Sequence, residues 1–153
     1  MELKYFYKIE NDRLIKGSGF KIPENCIEYN KKNPPVEFIE LQNKINKIKE
    51  FENKFKELKK NRDLKVGSIV VELSTGEKLN GDELSQTRLS RALNGLIDDE
   101  EISWIDSKNE TIKLNKDKII KALRLAGEQQ TSIFVEYNNL RNKLNEEYKN
   151  VKV

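Results

Sequence analysis

The chain has 153 residues, with 29 lysines and arginines against 26 aspartates and glutamates, no histidine and one cysteine; that length suits one domain or two very small ones. The missing histidine removes the commonest general base and the commonest zinc ligand, and the single thiol, Cys26, excludes an internal disulfide and any multi-cysteine metal site. Apolar residues make up 36% of the chain, a low share that predicts a thin core built on long amphipathic elements.

Residues 2–9 alternate, with Leu3, Tyr5, Tyr7 and Ile9 on one face and mostly charge on the other, the period of a half-buried strand. Asn11-Asp12 is turn chemistry, and Arg13–Lys16 reads as the returning strand of a hairpin. Gly17-Ser18-Gly19 breaks that strand; it lacks the further glycines and the Lys-Ser/Thr of a phosphate-cradling loop, and reads as an ordinary turn. Ile22 to Asn25 turns into a short strand at Cys26–Tyr29, with Cys26 a small core residue, and Lys31 to Pro35 is a loop before a helix. Residues 1–35 thus form a strand-rich N-terminal segment.

Residues 36–62 predict a long amphipathic helix or connector. Neither proline nor glycine occurs there, and Phe38, Leu41, Ile45, Ile48, Phe51, Phe55 and Leu58 recur at steps of three and four. Glu40–Lys44, Glu50–Lys54 and Glu52–Lys56 are acid-first pairs one turn apart. The stretch 44–62 carries eight basic and three acidic side chains, which suits a solvated face opposite a packing seam, or a phosphate-contacting helix. Arg62 to Gly67 predicts a linker.

Residues 66–153 predict an α+β domain ending in a long helix. Ser68–Leu73 reads as a strand, Ser74 to Glu77 as a turn and Lys78–Asn80 as the return. A helix follows, capped by Asp82 or Asn80, with Leu84, Leu89, Leu93 and Leu96 on its buried side and Ser85, Gln86, Arg88 and Arg91 on its surface. Asp98-Asp99-Glu100-Glu101 is an acidic loop without the alternating ligands and glycine of a calcium loop. Ile102–Ile105 and Thr111–Leu114 form a further hairpin, in which Trp104 anchors the core or stacks a ligand. Asn115 sits where an N-cap belongs, and a helix runs on to about Lys149 with a stripe through Leu123, Ala126, Tyr137, Leu140, Leu144 and Tyr148. Its length, about 50 Å at 1.5 Å per residue, implies that its end projects, packs along the first long helix or meets another subunit. Gly127 within it suggests a close approach.

The fold class expected is therefore α+β, short antiparallel hairpins with two long amphipathic helices, the second C-terminal. The near-neutral total hides a segmentation. Residues 1–66 hold 16 basic and 11 acidic side chains, residues 67–113 hold 5 and 10, and residues 114–153 hold 8 and 5. Opposed segments of this kind suit docking on one another or on a second copy. Lysine and asparagine are abundant, as an AT-rich genome would favour. Neither a leader pattern nor a membrane-length apolar run is present, which points to a cytoplasmic protein. No histidine–serine pairing, sheltered carboxylate pair or activated thiol emerges, so no catalytic, cofactor or metal residue is assigned and a non-enzymatic role is expected.

From Val66 to Leu144 a series of motifs comes in order: Gly67-x-x-Val70, the turn glycine Gly76, Asn80-Gly81-Asp82-Glu83, Ser85-Gln86-x-Arg88-Leu89, Trp104-Ile105-Asp106, Asn109, and a long helix with Gln129-Gln130. This series resembles an uncharacterised phage and prophage domain family found in tail-fibre-assembly-like proteins, and residues 1–35 loosely resemble the strand-rich start of such proteins. The resemblance implies a phage-derived protein-binding module, a tail fibre assembly chaperone or small tail component, working in the bacterial host cytoplasm or in the virion tail. An inhibitor of a bacterial defence complex (anti-CRISPR-like) is the alternative, and nucleic-acid binding through 44–62 a weaker one. The candidate partner contacts are the acidic run Asp98, Asp99, Glu100 and Glu101, the helix-surface residues Gln86 and Arg88, and the stripe residues Phe51, Phe55, Tyr137 and Leu144. The last four also suit self-association through the long helices.

Overall fold

The computed structural model describes residues 2–11 and 13–151. The fold is α+β, with the elements β1 (Lys4–Glu10), β2 (Arg13–Gly19), β3 (Ile27–Tyr29), α1 (Val36–Gly67), β4 (Val70–Glu72), β5 (Lys78–Asn80), α2 (Glu83–Gly95), β6 (Glu101–Ile105), β7 (Thr111–Asn115) and α3 (Lys116–Glu147). All strand pairings are antiparallel, in a three-stranded sheet of order β2-β1-β3 and two hairpins, β4-β5 and β6-β7. The chain divides into two compact units, residues 1–53 with 147–153, and residues 54–146.

In the first unit, β1 and β2 pair along their whole length from Lys4–Gly19 to Glu10–Arg13. Asn11 takes a φ of +50° at the hairpin turn, a conformation asparagine tolerates; its expected turn partner Asp12 lies outside the described residues. Of the face predicted for β1, Tyr7 is buried, Tyr5 half-buried, and Leu3 and Ile9 exposed. The reason is coverage, because β3 pairs only with Tyr5, Phe6 and Tyr7. There Tyr7 meets Tyr29 and Phe38 edge-on at 5.8 and 5.3 Å, and Tyr29 lies 4.8 Å from Phe38, an arrangement aromatic quadrupoles favour. Gly17 to Gly19 do not break β2. Phe6 stands opposite Gly17, and a Cβ there would lie 2.7 Å from the Phe6 ring, so the glycine admits the ring while the ladder continues. Cys26 is half-buried in a turn rather than in a core, its N–H donating to the Pro23 carbonyl.

In α1 the predicted stripe holds, with Phe38 buried and Leu41, Ile45, Ile48, Phe51, Phe55 and Leu58 half-buried. The helix does not stop at Asn61. Residues 62–67, expected as a linker, are its last turns, because the stripe continues at steps of four through Arg62 to the buried Val66.

The second unit holds a core of Ile69, Val71, Leu73, Leu79, Leu89, Leu96, Leu114, Ile119, Ala122 and Ala126. Trp104 is half-buried against it. Asp82 caps α2, its carboxylate accepting the Leu84 and Ser85 amides at 3.0 and 3.1 Å. Leu84, predicted on the buried side, is 59% exposed; it lies five residues before Leu89, about 140° around the helix from it. Asn115 Oδ1 accepts the Lys118 amide at the start of α3. The close approach predicted at Gly127 is elsewhere. A Cβ on Gly127 would meet nothing within 4 Å, whereas one on Gly81 would lie 2.6 Å from Ile69 Cγ2 and 3.0 Å from the Ala126 Cβ.

Candidate partner-binding surface

The junction between β5 and α2 and the tip of the β6-β7 hairpin converge on one open concavity. From the first side, Asn80 ends β5, and the Asp82 cap starts α2 so that Ser85 and Arg88 stand one turn apart. From the second side come Ser103, Trp104 and Ile105 at the end of β6, followed by a tight turn. Asp106 builds that turn. Its Oδ1 accepts the Lys108 and Glu110 amides, each at 2.8 Å, and its own N–H donates to the Glu110 carbonyl. Asn109 sits at φ +64°, and the Ser107 amide donates to the Lys78 carbonyl, fixing the tip to β5. The concavity measures about 430 Å³ and includes Asn80, Ser85, Arg88, Trp104, Ile105 and Asn109 in its lining, within the size range of ligand pockets.

The charges around it are unequally engaged. The Ser85 hydroxyl donates to Asp82 Oδ2 at 2.6 Å, and Ser103 Oγ accepts the Lys113 ammonium at 2.9 Å. Burial pushes the Asp82 carboxyl up, but the Ser85 hydroxyl and the Ser85 and Leu84 amides outweigh it and leave the group below its ordinary range. Asp106 is buried and held by its own turn. The Arg88 guanidinium, the Trp104 indole N–H and the Asn80 and Asn109 carboxamides have no hydrogen-bond or ion-pair partner among the described residues. What remains for another molecule is therefore one wholly unpartnered cation, Arg88, one exposed aliphatic side chain and a set of mainly donating groups.

The residues predicted to contact a partner separate on this structure. Arg88 is exposed on the concavity. Gln86, two residues before it and so on the other side of the helix, is half-buried; it donates to the Gly81 carbonyl and to Gln130 Oε1, both at 2.8 Å, and so ties α2 to α3. Asp98, Asp99, Glu100 and Glu101 are all exposed. Asp98 pairs with Lys116 at 2.9 Å, the Glu100 carboxylate accepts the Ile97 amide, and Glu101 already belongs to β6 rather than to a loop. The Lys116 ammonium lowers the Asp98 carboxyl, and Asp98 raises the Lys116 ammonium in turn.

The stripe residues are engaged within the chain. Tyr137 lies under the Arg62 guanidinium, 4.6 Å from ring centroid to Cζ, and Phe134 lies 5.5 Å from the same group. Beside them Lys65 pairs with Glu136 at 2.7 Å. Leu144 is 8% exposed, which removes it from the surface where a partner contact was expected. Phe51 packs on Tyr148 at 5.4 Å, and Phe55 is half-buried. Tyr137, Phe51 and Leu144 are thus taken up in packing, through the Arg62 and Tyr148 contacts and through burial. Sequence reasoning raised Trp104 only as a core anchor or a ligand stack, and did not select Asn80, Ile105 and Asn109, the other three. The signal was present, since all four belong to the motif series, but only the fold brings residues 80 and 109 together.

Among the described residues no group of three His, Cys, Asp or Glu side chains is placed to hold a metal ion, and no helix is long and apolar enough to cross a membrane. Residues 49–152 match a domain of unknown function, DUF4376, a span that contains every residue lining the concavity. No curated protein and no solved structure matches the chain.

Proposed function

The chain belongs to the DUF4376 family, and on that footing we propose that it is a non-enzymatic, phage-derived protein-binding module, a tail fibre assembly chaperone or small tail component acting in the host cytoplasm. One observation carries the reading. Asn80, Ser85, Arg88, Trp104, Ile105 and Asn109, drawn from separate motifs of the series that resembles tail-fibre-assembly-like proteins, line a single accessible concavity. Of these only Trp104 packs against the buried core, so hydrophobic packing gives no reason for the others to be assembled there, whereas contact with another protein does. Exposed apolar side chains at Phe134, Val135 and Leu140 of α3 add surface suited to a chain partner or a second copy.

The test is co-expression with the tail fibre protein of the same genome. The expected outcome is an increase in soluble, trimeric fibre, read by gel filtration with light scattering. Fibre that folds and trimerises equally well without the chain removes the chaperone role.

A second reading, an inhibitor of a bacterial defence complex, draws on the exposure of all four carboxylates from Asp98 to Glu101. Reversing these charges abolishes inhibition if they are the contact; inhibition that survives the reversal eliminates this version.

A further inference from the structure

We infer that the concavity between α2 and the β6-β7 tip recognises an aspartate or glutamate side chain next to an apolar residue on a partner protein segment, with Arg88 as the carboxylate receptor. This rests on the protein-binding reading of the same surface and specifies the chemistry of its partner. Arg88 is exposed, and its guanidinium has neither an ion pair nor a ring contact among the described residues. A planar guanidinium binds a carboxylate through two parallel N–H bonds, a geometry that a point-charge ammonium does not reproduce. Asp82 is held by the α2 cap, and Asp106, which itself lines the concavity, holds its turn through Oδ1. Trp104 contributes a further unpartnered N–H, and Asn80 and Asn109 two carboxamides. This mainly donating set favours an acceptor-only ligand such as a carboxylate.

Charge decides between sources. Residues 67–113, which build the surface, carry ten acidic and five basic side chains. A polyanionic nucleic-acid backbone suits so acidic a segment poorly, while a single carboxylate can pair with Arg88 alone. A terminal carboxylate is captured by successive backbone amides, whereas the free donors here are side chains around an open concavity, which suits a passing loop or extended segment. Ile105, 55% exposed beside Trp104, supplies the apolar contact for the residue adjacent to the acid.

Trp104 is the only tryptophan, so its indole resonance and fluorescence report on this surface directly. The probes are acetyl-Leu-Asp-Leu-amide and acetyl-Leu-Asn-Leu-amide, titrated into the full chain. The expected result is a saturable shift of the indole N–H with the aspartyl peptide at a Kd of about 1 mM, as suits one bidentate pair and a small apolar contact. The asparaginyl peptide is expected to bind about tenfold more weakly. R88Q should lose the discrimination and R88K should keep only part of it. R91Q, one turn further along α2, should behave as the wild type. Equal responses to the two peptides, no response to either, or an R88Q protein indistinguishable from wild type overturns the inference. Loss in R91Q equal to that in R88Q does the same, by showing a general charge effect. Circular dichroism establishes that the variants are folded. Fibre co-expression separates the two levels: carboxylate-dependent binding without any effect on the fibre refutes the assembly role and leaves this site standing. If wild type and R88Q raise soluble fibre equally, the assembly role stands and this site falls.

Discussion

Glu77 joins the β4-β5 turn to α3 through both its carboxylate oxygens, Oε1 accepting the Lys118 ammonium at 2.5 Å and Oε2 the Thr75 hydroxyl. The hydrogen bond from Lys118 first, then that from Thr75, lowers the Glu77 pKa from 4.5 to about 2. Because the folded value lies below the unfolded one, Glu77 stabilises the fold fully above about pH 4.5, and this contribution disappears as the pH falls toward 2. Melting temperatures taken across that interval should therefore fall with acid. Lys118→Met should shallow this fall by returning Glu77 toward the ordinary carboxylate range; an unchanged acid limb would contradict the assignment. Two glycines make opposite predictions. Gly81→Ala drives a Cβ into Ile69 and Ala126 and should cost about 1–3 kcal/mol by overpacking. Gly127→Ala adds a methyl in open space on a helix and should stabilise by up to about 1 kcal/mol. Urea titrations read both. Sequence placed the close approach within α3 at Gly127; the true contact is Ala126 against Gly81, a pairing 45 positions apart that no local pattern encodes.

At the scale of elements, periodicity read the helices and hairpins well where the apolar steps were regular. The α1 stripe, a cap at Asp82 or Asn80, the Asn115 cap and the hairpin of Ile102–Ile105 with Thr111–Leu114 were all legible from local chemistry. Two boundaries were not. Composition made residues 62–67 a linker, yet Arg62 lies over Tyr137 and Val66 is buried, so tertiary cover extends the helix through polar sequence. Leu64→Pro tests this, since its side chain is 61% exposed and contributes little. A flexible linker would accept proline, whereas a helix interior should lose about 3 kcal/mol, visible as reduced helicity and a lower urea midpoint. In β2 the glycines looked like a stop signal, but the large Phe6 ring opposite required them inside the strand.

At the scale of the molecule, stability should be unevenly divided. All ten clustered buried residues lie in the unit 54–146, while the first unit rests on a small sheet with a compact aromatic group around Tyr7. Hydrogen exchange is expected to be slowest at Leu79, Leu89, Leu114 and Ile119, and faster throughout β2 and β3. Comparable protection in both units would show that the aromatic group stabilises more than its size suggests. The candidate surface belongs to the better-packed unit, which gives Arg88 a rigid mount, the condition under which a single charged contact discriminates between partners.

Composition and periodicity alone determined the α+β class, the two long helices, the hairpins and their caps, because each depends on residues within a few positions of one another. The lack of histidine and of paired cysteines limited the available chemistry equally locally. Only the tertiary structure decided which apolar stripe residues were covered, leaving Tyr137 and Leu144 as packing. It also decided that Asn80, Arg88, Trp104 and Asn109 share one concavity. Burial and convergence are properties of distant segments brought into contact, and a periodic pattern shows which face will be covered without showing what will cover it.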